Sequence, residues 1–124
     1  MAAPVIVGSG AACHFAWNLS AKVGVSSPNQ PDDVQLAQLG YFCAQYGTTQ
    51  YDAASRAIFA AVVPGALYSR QEYDPLTSAI RAQEKSFGGP QAGQVSVMVN
   101  LTSASYDGGV HGYLMIRLNI LIMN

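Results

Sequence analysis

The sequence predicts an α+β fold: an N-terminal strand, three helices and a long C-terminal antiparallel β-hairpin, with the helices packed on one face of a small antiparallel sheet. Three observations carry that expectation. Apolar residues alternate at period two near both ends of the chain, whereas segments between them show helical spacing. Two of those middle segments open with an Asx residue and a Pro in the first turn, at Asn29-Gln30-Pro31 and Asp74-Pro75. Finally, the Tyr106-Asp107-Gly108-Gly109 turn lies between two long alternating runs, and the φ > 0 positions of tight hairpin turns suit Asp and Gly.

Taken in order, Val5-Ile6-Val7 is a short apolar run broken by Gly8-Ser9-Gly10. Cys13, Phe15, Trp17 and Leu19 then share one strand face, with His14, Ala16 and Asn18 on the other. Residues 23–30, rich in Ser, Pro and Asn, read as a loop. A first helix starts at Asn29-Gln30-Pro31-Asp32-Asp33, which offers a capping side chain, a first-turn Pro and acids near the positive end of the dipole. It runs through Val34, Leu36, Ala37, Leu39, Tyr41, Phe42 and Cys43 to Gly47, apolar on most sides and therefore central.

The second helix, over residues 52–63, sets Ala57, Ile58, Ala61 and Val62 at helical spacing and stops at Pro64-Gly65. Residues 68–73, with Arg70 and Glu72, read as a connector. The third helix, over residues 75–87, turns Leu76, Ile80, Gln83 and Phe87 inward and Arg81, Glu84 and Lys85 to water, and Gly88-Gly89-Pro90 ends it. Val95, Val97, Val99 and Leu101 open the hairpin, and Leu114, Ile116, Leu118, Ile120 and Ile122 share one face of its closing strand. The first strand is expected to pair with this hairpin. With neither a repeat nor a long linker, residues 1–124 read as a single domain.

Composition narrows the partners. Charged residues make up 10% of the chain, against a norm of about 25%. A net charge of −1 with six scattered basic residues gives no electrostatic footprint for nucleic acid. Polarity comes instead from Ser, Thr, Asn and Gln, which suits a neutral, sugar-like ligand or self-association. The opening residues lack the basic region of a secretory signal. Residues 113–123 are too short for a helical membrane span, which takes about 20 residues, and Arg117 and Asn119 interrupt them. No membrane span is expected; a cytoplasmic location is the default, with export or the cell envelope as the alternative.

No catalytic constellation emerges. Cys13, Cys43, His14 and His111 could in number make a zinc set, but adjacent strand residues such as Cys13 and His14 point to opposite faces. Both cysteines lie in apolar surroundings and read as buried thiols, so a Cys–His enzyme is the weaker alternative. Gly8-Ser9-Gly10 lacks the helix that a phosphate loop needs. Asp32, Asp33 and Asp74 sit at helix starts, where capping explains them, and the other acids have no partner at a fixed spacing. The expectation is a non-enzyme with no cofactor and no metal.

Asn29-Gln30-Pro31-Asp32-Asp33-Val34-Gln35-Leu36-Ala37-Gln38 resembles the first helix of bacterial peptidoglycan-binding-like domains, in which an acid-Val pair opens a helix leading to a Gly-Tyr. Asp74-Pro75-Leu76-Thr77-Ser78-Ala79-Ile80-Arg81-Ala82 is similar to that family's later helix, with Gly88-Gly89 as its following turn. The two matches fall within residues 29–89. The resemblance implies a bacterial three-helix module that docks onto cell-wall glycan or peptide, or serves as a scaffold; no groove residue is carried over from it.

These readings converge on a non-enzymatic binding or assembly module, associated with peptidoglycan by resemblance. The alternative is an interaction or structural protein that associates with another protein, or with itself, through β-edges poor in guarding charges. For that alternative the candidate surface is Tyr113, Met115, Arg117 and Asn119, on the side of the last strand away from its main apolar face.

Overall fold

The computed structural model describes residues 3–7, 14–48, 50–86, 88 and 92–95. Within them two strands, β1 (Ala3–Val7) and β2 (His14–Asn18), pair antiparallel, with Ala3 opposite Asn18 and Val7 opposite His14. A shorter pair joins β3 (Val23–Gly24) to β4 (Gln94–Val95), with Val23 opposite Val95. Between them lie three helices, α1 (Pro31–Ala44), α2 (Ala53–Ala60) and α3 (Pro75–Ser86). The mixed α+β class is therefore observed. The C-terminal hairpin lies outside the described residues beyond Val95, which pairs with Val23, and the partner that the described residues give the N-terminal strand is its sequence neighbour. No helix among the described residues is long and apolar enough to cross a membrane.

The start of α1 departs from simple capping. Pro31 occupies its first turn, as expected, but Gln30 is the cap residue and no side chain caps it. Asn29, the natural candidate, has φ 52° and turns its side chain the other way. Its Oδ1 accepts from the Gly24 N–H at 2.7 Å, and its Nδ2 donates to the Gly24 and Ser27 carbonyls at 2.9 and 3.0 Å. An amide carries both donor and acceptor, so Asn29 closes the loop after β3 where a capping hydroxyl could not. Asp33 is buried too, and accepts from Ser20 N–H (2.9 Å), Ser20 Oγ (2.8 Å) and Ala21 N–H (3.1 Å). It fastens the chain after β2 to the first turn of α1.

The helix ends at Ala44, short of Gly47, because Tyr46 and Gly47 donate to Cys43 and Ala44 in three-residue turns that tighten and close it. Leu36, Ala37, Tyr41 and Ala44 are buried, whereas Leu39 and Phe42 remain exposed, so α1 is central on most but not all sides. At α2 the Asp52 side chain caps by accepting from the Ser55 N–H at 2.8 Å. The buried residues here are Phe59 and Val62; Ala57, Ile58 and Ala61, which share helical spacing with Val62, face out. The Phe59 ring settles the face, packing 5.7 Å from Tyr41 and edge-on 4.9 Å from Tyr51. One aromatic ring buries more apolar area than several alanines.

The cap of α3 is as expected, with Asp74 Oδ1 accepting from the Leu76 N–H at 2.9 Å. Leu76, Ile80 and Gln83 face inward, and Phe87 lies outside the described residues. Glu84 corrects the sequence reading: assigned to the wet side, it is fully buried and its Oε1 accepts from the Gly93 N–H at 2.9 Å. Charge alone does not mark a residue as exposed when a backbone donor waits inside. Gly24, at φ +126°, lies so close to the Gly93 carbonyl that any Cβ would collide with it, and this lets β3 meet β4 beside α3. In the core between the helices the Tyr41 hydroxyl donates to Gln83 Oε1 at 2.7 Å, and Gln83 Nε2 donates to Tyr51 Oη at 2.8 Å.

Candidate functional site

The sequence-based candidates do not gather into a site among the described residues. Tyr113, Met115, Arg117 and Asn119 lie outside them, as do Cys13 and His111. Cys43 is a free, half-buried thiol whose pKa burial raises, so it holds its proton at neutral pH and is a poor nucleophile. Asp33, Asp52 and Asp74 are each committed to backbone donors. Glu72 accepts from Arg81 through both oxygens, at 2.7 and 2.8 Å, and that guanidinium holds its carboxyl below the usual range. No three His, Cys, Asp or Glu side chains among the described residues come together as metal ligands.

What the structure offers instead is a cleft. The chain that leaves α2 crosses α1 as a strap, residues 64–70, without helix or strand of its own. Strap and helix enclose a half-open space of about 370 Å³. That lies at the small end of the roughly 300–1,000 Å³ range of ligand sites.

Side chains hold the strap in place at three points. Gln38, buried on α1, accepts from the Gly65 N–H and donates to the Ala66 carbonyl, both at 2.9 Å. The Tyr68 hydroxyl and Thr77 Oγ1 of α3 lie 2.7 Å apart. Asp74 Oδ2 accepts from both the N–H and the hydroxyl of Ser69, each at 2.9 Å. Gly65 supplies the turn at φ +85°, and Arg70 is held at φ +65°, a region that non-glycine residues seldom occupy.

The walls differ in character. Val34 and Pro31 from α1 and Leu67 from the strap give an apolar lining, and Leu67 is 96% exposed, so one side chain of that lining has almost no protein cover. Gln35 and Arg70 add an amide and a guanidinium at the rim. Among the described residues Arg70 makes no hydrogen bond or ion pair. Burial raises the Tyr68 pKa, the Thr77 hydrogen bond opposes it, the charges of Asp74 and Glu72 add to the rise, and that of Arg70 acts the other way. Tyr68 is therefore protonated at neutral pH, able to donate or accept but not to act as a base.

The described lining contains no His, Cys, Asp, Glu, Lys, Ser or Thr. It can orient a ligand through hydrogen bonds, one positive charge and apolar contact, but it presents no general base and no nucleophile. Sequence reading treated residues 68–73 as a mere connector and passed over Gln35 and Leu67. The available signal was an arginine in a loop that follows a Pro-Gly stop, too common to single out by itself. Comparison of the chain with family models, with curated proteins and with solved structures returns no match.

Proposed function

We propose that this chain is a non-enzymatic binding module that takes its ligand in the cleft between α1 and the strap, and that the ligand is cell-wall peptidoglycan. The observation that carries the reading is a pre-built cleft whose strap is pinned at three points and whose described lining offers binding groups without acid–base chemistry. A site already in its bound shape spends little free energy on ordering when the ligand arrives. The wall assignment draws its support from the resemblance. Both segments that carry it take part in forming this cleft: α1 is one wall, and Asp74 and Thr77 at the start of α3 bind the strap that is the other.

Sedimentation with purified sacculi tests both parts. The wild-type chain should be retained, and Gln38→Leu should weaken retention several-fold. That substitution removes two hydrogen bonds whose strap partners, Gly65 and Ala66, are exposed and can turn to water, so its stability cost should be only about 1–3 kcal/mol. No retention of the wild type would overturn the wall assignment. Retention untouched by Gln38→Leu and by Leu67→Asp would place binding outside the cleft.

A further inference from the structure

We infer that the cleft recognises a carboxylate, and that its ligand is a short peptide with a free C-terminal carboxyl group, anchored by Arg70. The inference rests on the binding reading above and gives that site its ligand class. Most described basic side chains have an opposite charge or a carbonyl at hand. Arg81 binds Glu72 bidentately, Arg56 donates to the Tyr51 carbonyl at 3.3 Å, and the charges of Arg56 and Lys85 act on Asp52. Arg70 stands at the rim of the cleft with no carboxylate among the described lining residues. A guanidinium presents a planar fork of donors that matches a carboxylate in two parallel hydrogen bonds.

One cation with no second beside it balances a single negative charge, which favours a carboxylate over a doubly charged phosphate. The left-handed backbone of Arg70 is held from both sides. Asp74 grips Ser69 before it, and the Gln71 N–H after it donates to Ser69 Oγ at 3.3 Å. The base of the side chain is thus fixed relative to the cleft.

The rest of the lining fits the residues that precede such a terminus. The Gln35 amide offers both donor and acceptor, the pair that a peptide unit needs, and no described residue takes them up. Val34, Pro31 and Leu67 would cover small apolar side chains. A space of about 370 Å³ holds a few residues of a ligand. Peptide stems of the cell wall and the chain ends of proteins share this chemistry and differ in the handedness of their last residues. The wall reading selects the stem.

The test titrates the isotopically labelled chain with N-acetyl-alanyl-alanine as the free acid and as its C-terminal amide, in the D,D and L,L forms, following the amide resonances of Gly65, Leu67 and Arg70. The D,D acid should bind at least about tenfold more tightly than its amide, the expected weight of one charge-assisted pair, and added salt should shrink that gap. Arg70→Asn should abolish the gap while leaving the spectrum otherwise folded, because Asn tolerates the left-handed region. Equal affinity for acid and amide, an acid preference that survives Arg70→Asn, or no binding of any probe would overturn the inference. Sacculus retention would stand in each of those cases if the binding reading is right. An acid preference confined to the L,L form keeps the carboxylate and moves the ligand to a protein chain end, against the wall reading.

Discussion

Replacing Gln83 with Leu should cost the fold about 2–4 kcal/mol, chiefly by stranding a hydroxyl. Tyr41 is fully buried and its hydroxyl donates to Gln83 Oε1 at 2.7 Å, while Gln83 Nε2 donates to Tyr51 Oη at 2.8 Å. The buried Tyr41 hydroxyl that loses its acceptor costs about 1–3 kcal/mol, and the hydrogen bond lost at Tyr51 adds about 1 kcal/mol. Leucine nearly fills the glutamine's volume, so a cavity adds little. The loss is a large share of a total stability of about 5–15 kcal/mol. Adding Tyr41→Phe to Gln83→Leu removes the stranded hydroxyl along with its partner. The double variant should therefore lose about 1–2 kcal/mol less than the two single losses added together. Urea unfolding followed by far-ultraviolet circular dichroism measures all three variants. Additivity within about 0.3 kcal/mol would show that the two side chains are not coupled and refute the reasoning.

Two further outcomes follow from buried groups. Asp33→Ala should cost about 2–4 kcal/mol, because the Ser20 and Ala21 N–H groups lose a charged acceptor, and Asp33→Asn should recover part of it through its remaining oxygen; thermal unfolding reads both. The fold should also weaken in alkali: burial, reinforced by Tyr51 and Glu84, raises the Tyr41 pKa well above 10.0. The unfolded chain then loses that proton first, so the contribution is intact below pH 10.0 and is lost as pH climbs from there toward the folded-state value. Tyr41→Phe should flatten the fall of urea midpoint above that pH, and an unchanged slope would exclude Tyr41 as its source.

Periodicity and stop signals made the helices legible, and Asp74-Pro75 is a helix start in both sequence and structure. Misreadings arose where a tertiary partner outbid a local rule. Asn29 has the side chain of a cap, yet Gly24 and Ser27 offer it three hydrogen bonds and the helix start offers one. Glu84 sits on the charged stripe of α3, but the Gly93 N–H, nine residues away, draws it inside. Phe59 takes the inner face of α2 because Tyr41 and Tyr51 wait there, and no spacing rule within α2 could reveal that. The cleft was invisible for the same reason. It exists through Gln38 meeting Gly65 and Ala66, at 27 and 28 residues' separation, and a glutamine within a helix carries no sign of so distant a contact.

The same contacts show what neutral polar side chains do in a chain with 10% charged residues. Asn29, Gln38 and Gln83 each bridge two or more groups, and Gln38 and Gln83 do so between distant segments, work that a neutral amide performs because it carries donor and acceptor together. A carboxylate or an ammonium in those places would satisfy one kind of partner and add the cost of burying a charge. The amides avoid that cost, and they carry neither a charge for salt to screen nor a proton that titrates in the ordinary pH range. An exposed Arg70 is the opposite case, since its attraction for an anion is screened by salt. Two of the three points that hold the strap, at Gln38 and Tyr68, involve neutral groups, whereas the group proposed to select the ligand is a charge. Salt should weaken the preference for an acid while leaving the cleft itself in place.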